Sequence, residues 1–178
     1  EVIRGMLEAN GIRCIVEDHT SLITSYYSGV GGDMRILVSS ADVEEAQRLI
    51  AVTKQSFFEG IKFARVGYRV SDISAAIQEY VESQGFSIVR EYVGHGVGRA
   101  LHEAPEVPNY RTERRSRPDP RLVKGMTLAI EPMVNAGGCA IRVLDDDWTV
   151  VTNDGKLSAH YENTIVITED GYEILSKL

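Results

Sequence analysis

Four side chains stand out in this 178-residue chain for the chemistry that their types and settings allow. His95 and His102 lie in "GHGVGRALHE", where Gly94, Gly96 and Gly98 strip side chains from the backbone around the first imidazole. Such a stretch lets backbone approach a ligand closely and lets one ring stand clear of the chain. Glu131 interrupts the apolar run "MTLAIEPMV", and Glu162 sits in "LSAHYENTIVIT". An ionised carboxylate beside buried aliphatic groups is costly unless something positive meets it. Two readings fit. In the plainer one, each glutamate pairs with an arginine or a strand-end amide, and His95 is a turn residue. In the sharper one, one imidazole and two carboxylates are ligands of a divalent transition metal such as Mn, Fe, Co or Zn. His102 is then free to hydrogen-bond a substrate or a developing oxyanion.

Other chemistries find fewer residues. The chain has no G-x-S-x-G elbow, and neither Cys14 nor Cys139 sits in an electropositive loop. "GHGVG" follows a strand-like segment, yet no helix opens behind it at dinucleotide-binding spacing. Metal-assisted hydrolysis uses the most of these residues with the fewest assumptions.

The elements that must position them read as follows. Val2, Ile3, Met6 and Leu7 mark a helix stopped by Asn10-Gly11, "IRCIVED" alternates as a strand, and a polar loop runs through "SGVGGD". "MRILVSS" is a second strand, followed by a helix from about Ala41 with Val43, Ala46 and Ile50 on one side. A helical pattern continues or restarts from about Val52 through Phe57, Phe58, Ile61 and Ala64. Ser71 is placed to cap a helix carrying Ile73, Ala76, Ile77, Tyr80 and Val81, and Gly85 ends it. "FSIVREYV" is strand-like, and "MTLAIEPMV", "CAIRVL", "DDWTVVT" and "LSAHYENTIVIT" complete an antiparallel sheet. In the last of these, alternation puts Ser158, His160, Glu162, Thr164 and Val166 on one face.

A net charge of −7 disfavours nucleic acid and anionic membrane as partners. The one basic cluster, Arg111, Arg114, Arg115 and Arg117, reads as a solvated loop beside "PDP". Two cysteines form no disulfide framework, and both are expected buried or inert in a reducing compartment. No run approaches the roughly 20 apolar residues of a membrane span, and no leader pattern opens the chain. A cytoplasmic protein is expected. Glu1 already falls within a helical pattern, so a longer natural start is expected too.

"GHGVGRALHEAPEVPNY", "GMTLAIEPMVNAG", "DWTVVTNDGKLSAHYENTIVIT" and "DGYEILS" resemble, in order and spacing, the C-terminal half of type I methionine aminopeptidase. "VTKQSFFEGIKFARVGYRVSDISAAIQEYVESQGFSIVREY" extends the resemblance back to about residue 49. It implies an α+β fold, a partial pita-bread arrangement with two helices on an antiparallel sheet. It also implies a dinuclear metal site that removes N-terminal methionine from new polypeptides. His95, Glu131 and Glu162 match family metal ligands, His102 matches a residue contacting the substrate amide, and Leu101 and Trp148 match methionine-pocket positions. By this match Glu131 and His102 are the expected catalytic groups, and N-terminal methionyl peptides are the expected substrates. Residues 1 to 50, through "EVIRGMLEANGIRCIVED" and "MRILVSSADVEEAQRLI", instead resemble a small ferredoxin-like domain family of prokaryotic signal-transducing proteins. The expected division is therefore a small domain over 1–50 and the half pita-bread domain over 51–178, overlapping at "EEAQRLI".

In the aminopeptidase family two aspartates of the preceding half complete the metal site, and none of the acids upstream of residue 49 stands in such a strand context. Two divalent ions carry four positive charges against two from Glu131 and Glu162. One ion rather than two, and little autonomous aminopeptidase activity, are the expectations. The alternative is a non-catalytic peptide-binding or regulatory module, or a chimeric gene product. Because the family fold has approximate internal two-fold symmetry, pairing of two copies into a homodimer is a further possibility.

Overall fold

The computed structural model describes residues 25–29, 32–36, 42–112 and 118–177. Two strands open it, β1 (Ser25–Gly29) and β2 (Gly32–Ile36), paired antiparallel with Gly29 opposite Gly32. Part of the expected "SGVGGD" loop is thus strand, in keeping with the β preference of the preceding Tyr26-Tyr27 pair. The expected first helix and first strand, with Cys14, lie outside the described residues.

Helix α1 (Val43–Ile61) runs unbroken through residue 50. Its buried stripe is Leu49, Val52, Thr53, Ser56, Phe57, Gly60 and Ile61. Leu49 therefore replaces the expected Ile50, which is 39% exposed. Helix α2 (Val70–Ser83) buries Val70, Ile73, Ser74, Ile77 and Val81. Gly60 sets how closely the helices cross, because a Cβ there would lie 2.6 Å from Ile77 Cγ1. The start of α2 differs from expectation. Ser71 lies inside the helix and donates its hydroxyl to Asp119 Oδ2 at 2.9 Å, while the Asp72 carboxylate accepts the Arg69 N–H at 2.8 Å. The end is as expected: Gly85 takes a φ of +81° just beyond it.

Ten further strands follow: β3 (Ser87–Ile88), β4 (Gly94–Gly96), β5 (Glu103–Val107), β6 (Thr127–Ile130), β7 (Met133–Asn135), β8 (Ile141–Val143), β9 (Val150–Thr152), β10 (Ser158–His160), β11 (Asn163–Ile167) and β12 (Tyr172–Ile174). They form an antiparallel five-stranded sheet β12-β11-β6-β4-β5, a three-stranded sheet β10-β7-β3, and the hairpin β8-β9. Both helices pack on the three-stranded sheet. Phe57, Ile61, Ile73, Ile77, Leu128, Ile130, Val134 and Ile165, all 0% exposed, share one core with Val107 and Leu122.

Two runs expected as single strands are each broken. "MTLAIEPMV" contributes β6 to the five-stranded sheet and β7 to the three-stranded one, with Glu131 and Pro132 between them. "LSAHYENTIVIT" divides in the same way, β10 on the small sheet and β11 on the large, with Tyr161 and Glu162 between them. Proline lacks the N–H that a ladder needs, so a chain reaching Pro132 leaves its first sheet there. The Tyr161 N–H donates to the Pro132 carbonyl at 3.2 Å, tying the two crossings together. Both glutamates lie between strands rather than within them. Among the described residues, no helix is long and apolar enough to cross a membrane.

Candidate metal centre

The first donor comes from β4. His95 stands in a strand, not in the expected glycine loop, and pairs with Ala129 of β6 on one side and Glu106 of β5 on the other. The glycines serve that strand's fit. A Cβ on Gly94 would lie 2.3 Å from the Ala129 carbonyl oxygen, and one on Gly96 would lie 2.4 Å from that of Ala104. The close approach they permit is therefore between neighbouring strands of the protein itself.

Register brings the acids to the same place. Residues opposite one another in an antiparallel pair share a face, and so do residues two apart along a strand. His95 opposes Ala129, and Glu131 lies two residues beyond it. Ile130 pairs with Asn163, so one more step of that register sets Glu131 against Glu162. A donor atom of His95, of Glu131 and of Glu162 all fall within 4.8 Å of one another. His95 Nε2 lies 3.4 Å from Glu131 Oε1, with side chains only 14% and 15% exposed. Glu162 is exposed. Tyr161, its neighbour, packs edge-on against Phe57 of α1 at 5.4 Å, which anchors the second crossing to the core.

His95 and Glu131 stand at a separation that suits a shared cation, with Glu162 within 4.8 Å of both. His95 Nδ1 lies 2.8 Å from the Gly96 carbonyl oxygen, and a carbonyl only accepts, so Nδ1 is the donor there and Nε2 is the nitrogen that faces Glu131; in the Nδ1–H tautomer that nitrogen is a metal donor. Donors held at metal–ligand distances of about 2.0–2.2 Å sit roughly 3.0–3.5 Å from each other, which matches the His95 to Glu131 separation. The set of one imidazole and two carboxylates offers the mixed nitrogen and oxygen donors that divalent transition metals take.

Of the other expected site residues, His102 joins the cluster: its ring centroid lies 4.2 Å from that of His95. A cleft of about 1110 Å³ opens beside these rings, lined by Val93, Gly94, His95, His102, Glu103, Ala104, Pro105, Glu106, Pro118, Pro120 and Met126. Leu101 and Trp148 are 71% and 75% exposed and do not line this cleft. Trp148 precedes β9 in the β8–β9 connection, where Asp146 accepts the Trp148 and Thr149 N–H groups and the Thr149 hydroxyl. These bonds, the Thr149 hydroxyl foremost, hold the Asp146 carboxyl below its usual range. Cys139 is partly exposed rather than buried, and Arg111 is an exposed neighbour of Glu79. Arg114, Arg115 and Arg117 lie outside the described residues.

Two residues at the centre carry no role in the sequence reading. His160 reaches Glu131 Oε2 with Nε2 at 3.5 Å, and Asn109 donates from Nδ2 to the Glu131 carbonyl at 3.0 Å. For His160 a signal existed, since alternation places it on the face of Glu162. Asn109 offered none, because its partner is a main-chain atom.

A model of the metallopeptidase family M24 matches residues 20–169. The chain belongs to metallopeptidase family M24. It is 59% identical over 133 residues to a methionine aminopeptidase of Clostridium perfringens, covering 75% of this chain and 52% of that protein. It is 53% identical over 135 residues to methionine aminopeptidase 1 of Bacillus subtilis, covering 76% and 53% respectively. The solved methionine aminopeptidase of Thermotoga maritima superposes with a TM-score of 0.73 at 48% identity, over 80% of this chain and 56% of that one. A Pyrococcus furiosus prolidase, at 21% identity and a TM-score of 0.57, shares the fold. The architecture is the M24 pita-bread α+β fold, here two helices on antiparallel sheets. The M24 chain spans about half the length of the curated relatives it matches. Its family match begins at residue 20, upstream of the residue 49 at which the motif resemblance starts.

Proposed function

We propose that this M24 chain holds a divalent metal ion through His95, Glu131 and Glu162 and acts on peptides that begin with methionine. The observation that carries the reading is the convergence of these three donors within 4.8 Å, with His95 Nε2 facing Glu131 and Nδ1 engaged by the Gly96 carbonyl. When bound, such an ion supplies Lewis-acid polarisation of the scissile carbonyl. Co, Mn, Fe or Zn suits the donors, and one ion matches the two carboxylate charges. His102, its ring tilted 52° to that of His95 and lining the cleft, is the residue proposed to donate a hydrogen bond to the substrate amide or to the oxyanion that develops from it. Glu131, which lies between two imidazoles, is the carboxylate proposed to accept a proton during the reaction. Leu101 and Trp148 complete the proposal as residues that contact the methionine side chain.

The finer parts of the proposal concern the chain by itself. Autonomous turnover is low, because the donors so far described neutralise one ion and not two. The chain works in the cytoplasm, and the small unit proposed for residues 1–50 overlaps the M24 match from residue 20 onward. Hydrolysis of a Met-Ala-Ser peptide with added Co(II) or Mn(II) tests the catalytic reading, and turnover equal to that of a full-length relative would refute the impairment. Calorimetric binding of the same peptide without hydrolysis would select the non-catalytic module. A strictly monomeric particle in light scattering would remove pairing of two copies.

A further inference from the structure

We propose that Asn109 is a positioning residue for the metal centre, fixing Glu131 through its main chain; this rests on the metal reading given above. Register places the two residues at the same end of β4. Gly94 pairs with Val107 and His95 with Ala129, so Asn109 and Glu131, each two residues further along, both lie beyond the Gly94 end. There the strand that separates β5 from β6 has stopped, and the Asn109 side chain reaches across to donate from Nδ2 to the Glu131 carbonyl at 3.0 Å.

That carbonyl is the one at which the chain leaves the large sheet for the small one, with Pro132 following and offering no N–H of its own. A part-buried carbonyl outside a ladder is best served by a protein donor. Asn109 is 0% exposed and spends its amide on this single bond: its Oδ1 is buried with no hydrogen-bond partner among the described residues. A group kept at that cost, on the backbone of a candidate ligand, sets where the ligand's carboxylate points. With the main chain pinned, Glu131 presents Oε1 to His95 and Oε2 to His160. Groups that orient metal ligands in this way typically contribute about 10–100-fold in metal affinity.

The test compares the full chain with Asn109→Asp, which keeps the shape and removes the donor, and with Asn109→Leu, which removes both polar atoms. Mn(II) affinity is measured by calorimetry, and the metal-free unfolding midpoint is recorded beside it. Positioning predicts affinity at least about tenfold weaker in both variants. Variants that fold and bind Mn(II) as tightly as the parent, whatever their midpoints, would overturn the role. Should the parent take up no Mn(II), the metal reading fails, and the metal-free His95 imidazole NMR signal decides the positioning role separately. Movement of that signal in Asn109→Leu, which adds no charge, supports the role, and an unmoved signal refutes it. Should neither variant fold, the parent's Asn109 side-chain amide signal decides: a shift on Zn(II) addition supports the role, and no shift refutes it.

Discussion

The two sheet crossings and the β8–β9 hairpin both bring functional candidates to the surface, but they hold them differently. At the crossings, Glu131 and Glu162 emerge from strands whose neighbours Leu128, Ala129, Ile130 and Ile165 are 0% exposed. A hydrogen bond joins Tyr161 to Pro132, and an aromatic contact joins Tyr161 to Phe57. Trp148, by contrast, stands 75% exposed at the hairpin, held through the backbone bonds that Asp146 accepts. Metal ligands have to be fixed to within fractions of an ångström, and paired, buried strands supply that rigidity. A side chain standing in solvent, as the proposed substrate contact Trp148 does, needs no such frame until a substrate arrives.

Perturbing the frame sharpens this contrast. Phe57→Ala removes a fully buried ring and the surface on which Tyr161 rests, and should cost about 3–5 kcal/mol in denaturant unfolding. Metal affinity of the folded fraction should fall with it, because Glu162 follows Tyr161. His95→Ala or Glu131→Ala should weaken Mn(II) binding by more than about 100-fold, beyond the range expected for residues that only orient ligands, as calorimetry would show. Gly94→Ala puts a methyl group 2.3 Å from the Ala129 carbonyl oxygen, with backbone rather than a flexible side chain in the way. A loss of about 1–3 kcal/mol in thermal or urea unfolding is expected.

Smaller effects belong to the periphery. Asp154 accepts the Gly138 and Lys156 N–H groups, joining the turn after β7 to the one before β10. The Gly138 bond, then that of Lys156, hold its carboxyl below the ordinary range. A lowered folded value means that the stabilisation is present above the unfolded pKa and is lost as pH falls through the folded one. Asp154→Asn should therefore be less stable than the parent near neutral pH and converge with it in acid, in urea titrations across pH. Trp148→Ala should change stability by no more than about 0.5 kcal/mol, while weakening capture of a methionyl peptide. A large stability loss there would erase the contrast between the sheet crossings and the hairpin.

His95, Glu131 and Glu162, which the structure brings together, were singled out in sequence partly because charge in an apolar run is costly; that cost applies to Glu131, 15% exposed, whereas Glu162 is exposed. The two helices followed from the spacing of Phe57, Ile61, Ile73, Ile77 and Val81. The strand breaks were not legible: alternation across "LSAHYENTIVIT" is continuous, and only the pairing of β10 with β7 and of β11 with β6 shows that it spans two sheets. His95 read as a loop residue because short glycine-flanked strands carry no period of their own, and the clash that forbids a side chain at Gly94 involves a strand 35 residues away. Ser71 read as a cap for want of Asp119, a long-range partner that local pattern does not reveal.

The central claim is that His95, Glu131 and Glu162 form one cation site. Mn(II) titration of the full chain, followed by electron paramagnetic resonance of the free ion, tests it most directly. One ion bound per chain, and none in the His95→Ala variant, is the result this structure predicts. An unaltered titration in His95→Ala, or a parent chain that leaves all the Mn(II) free, would contradict it.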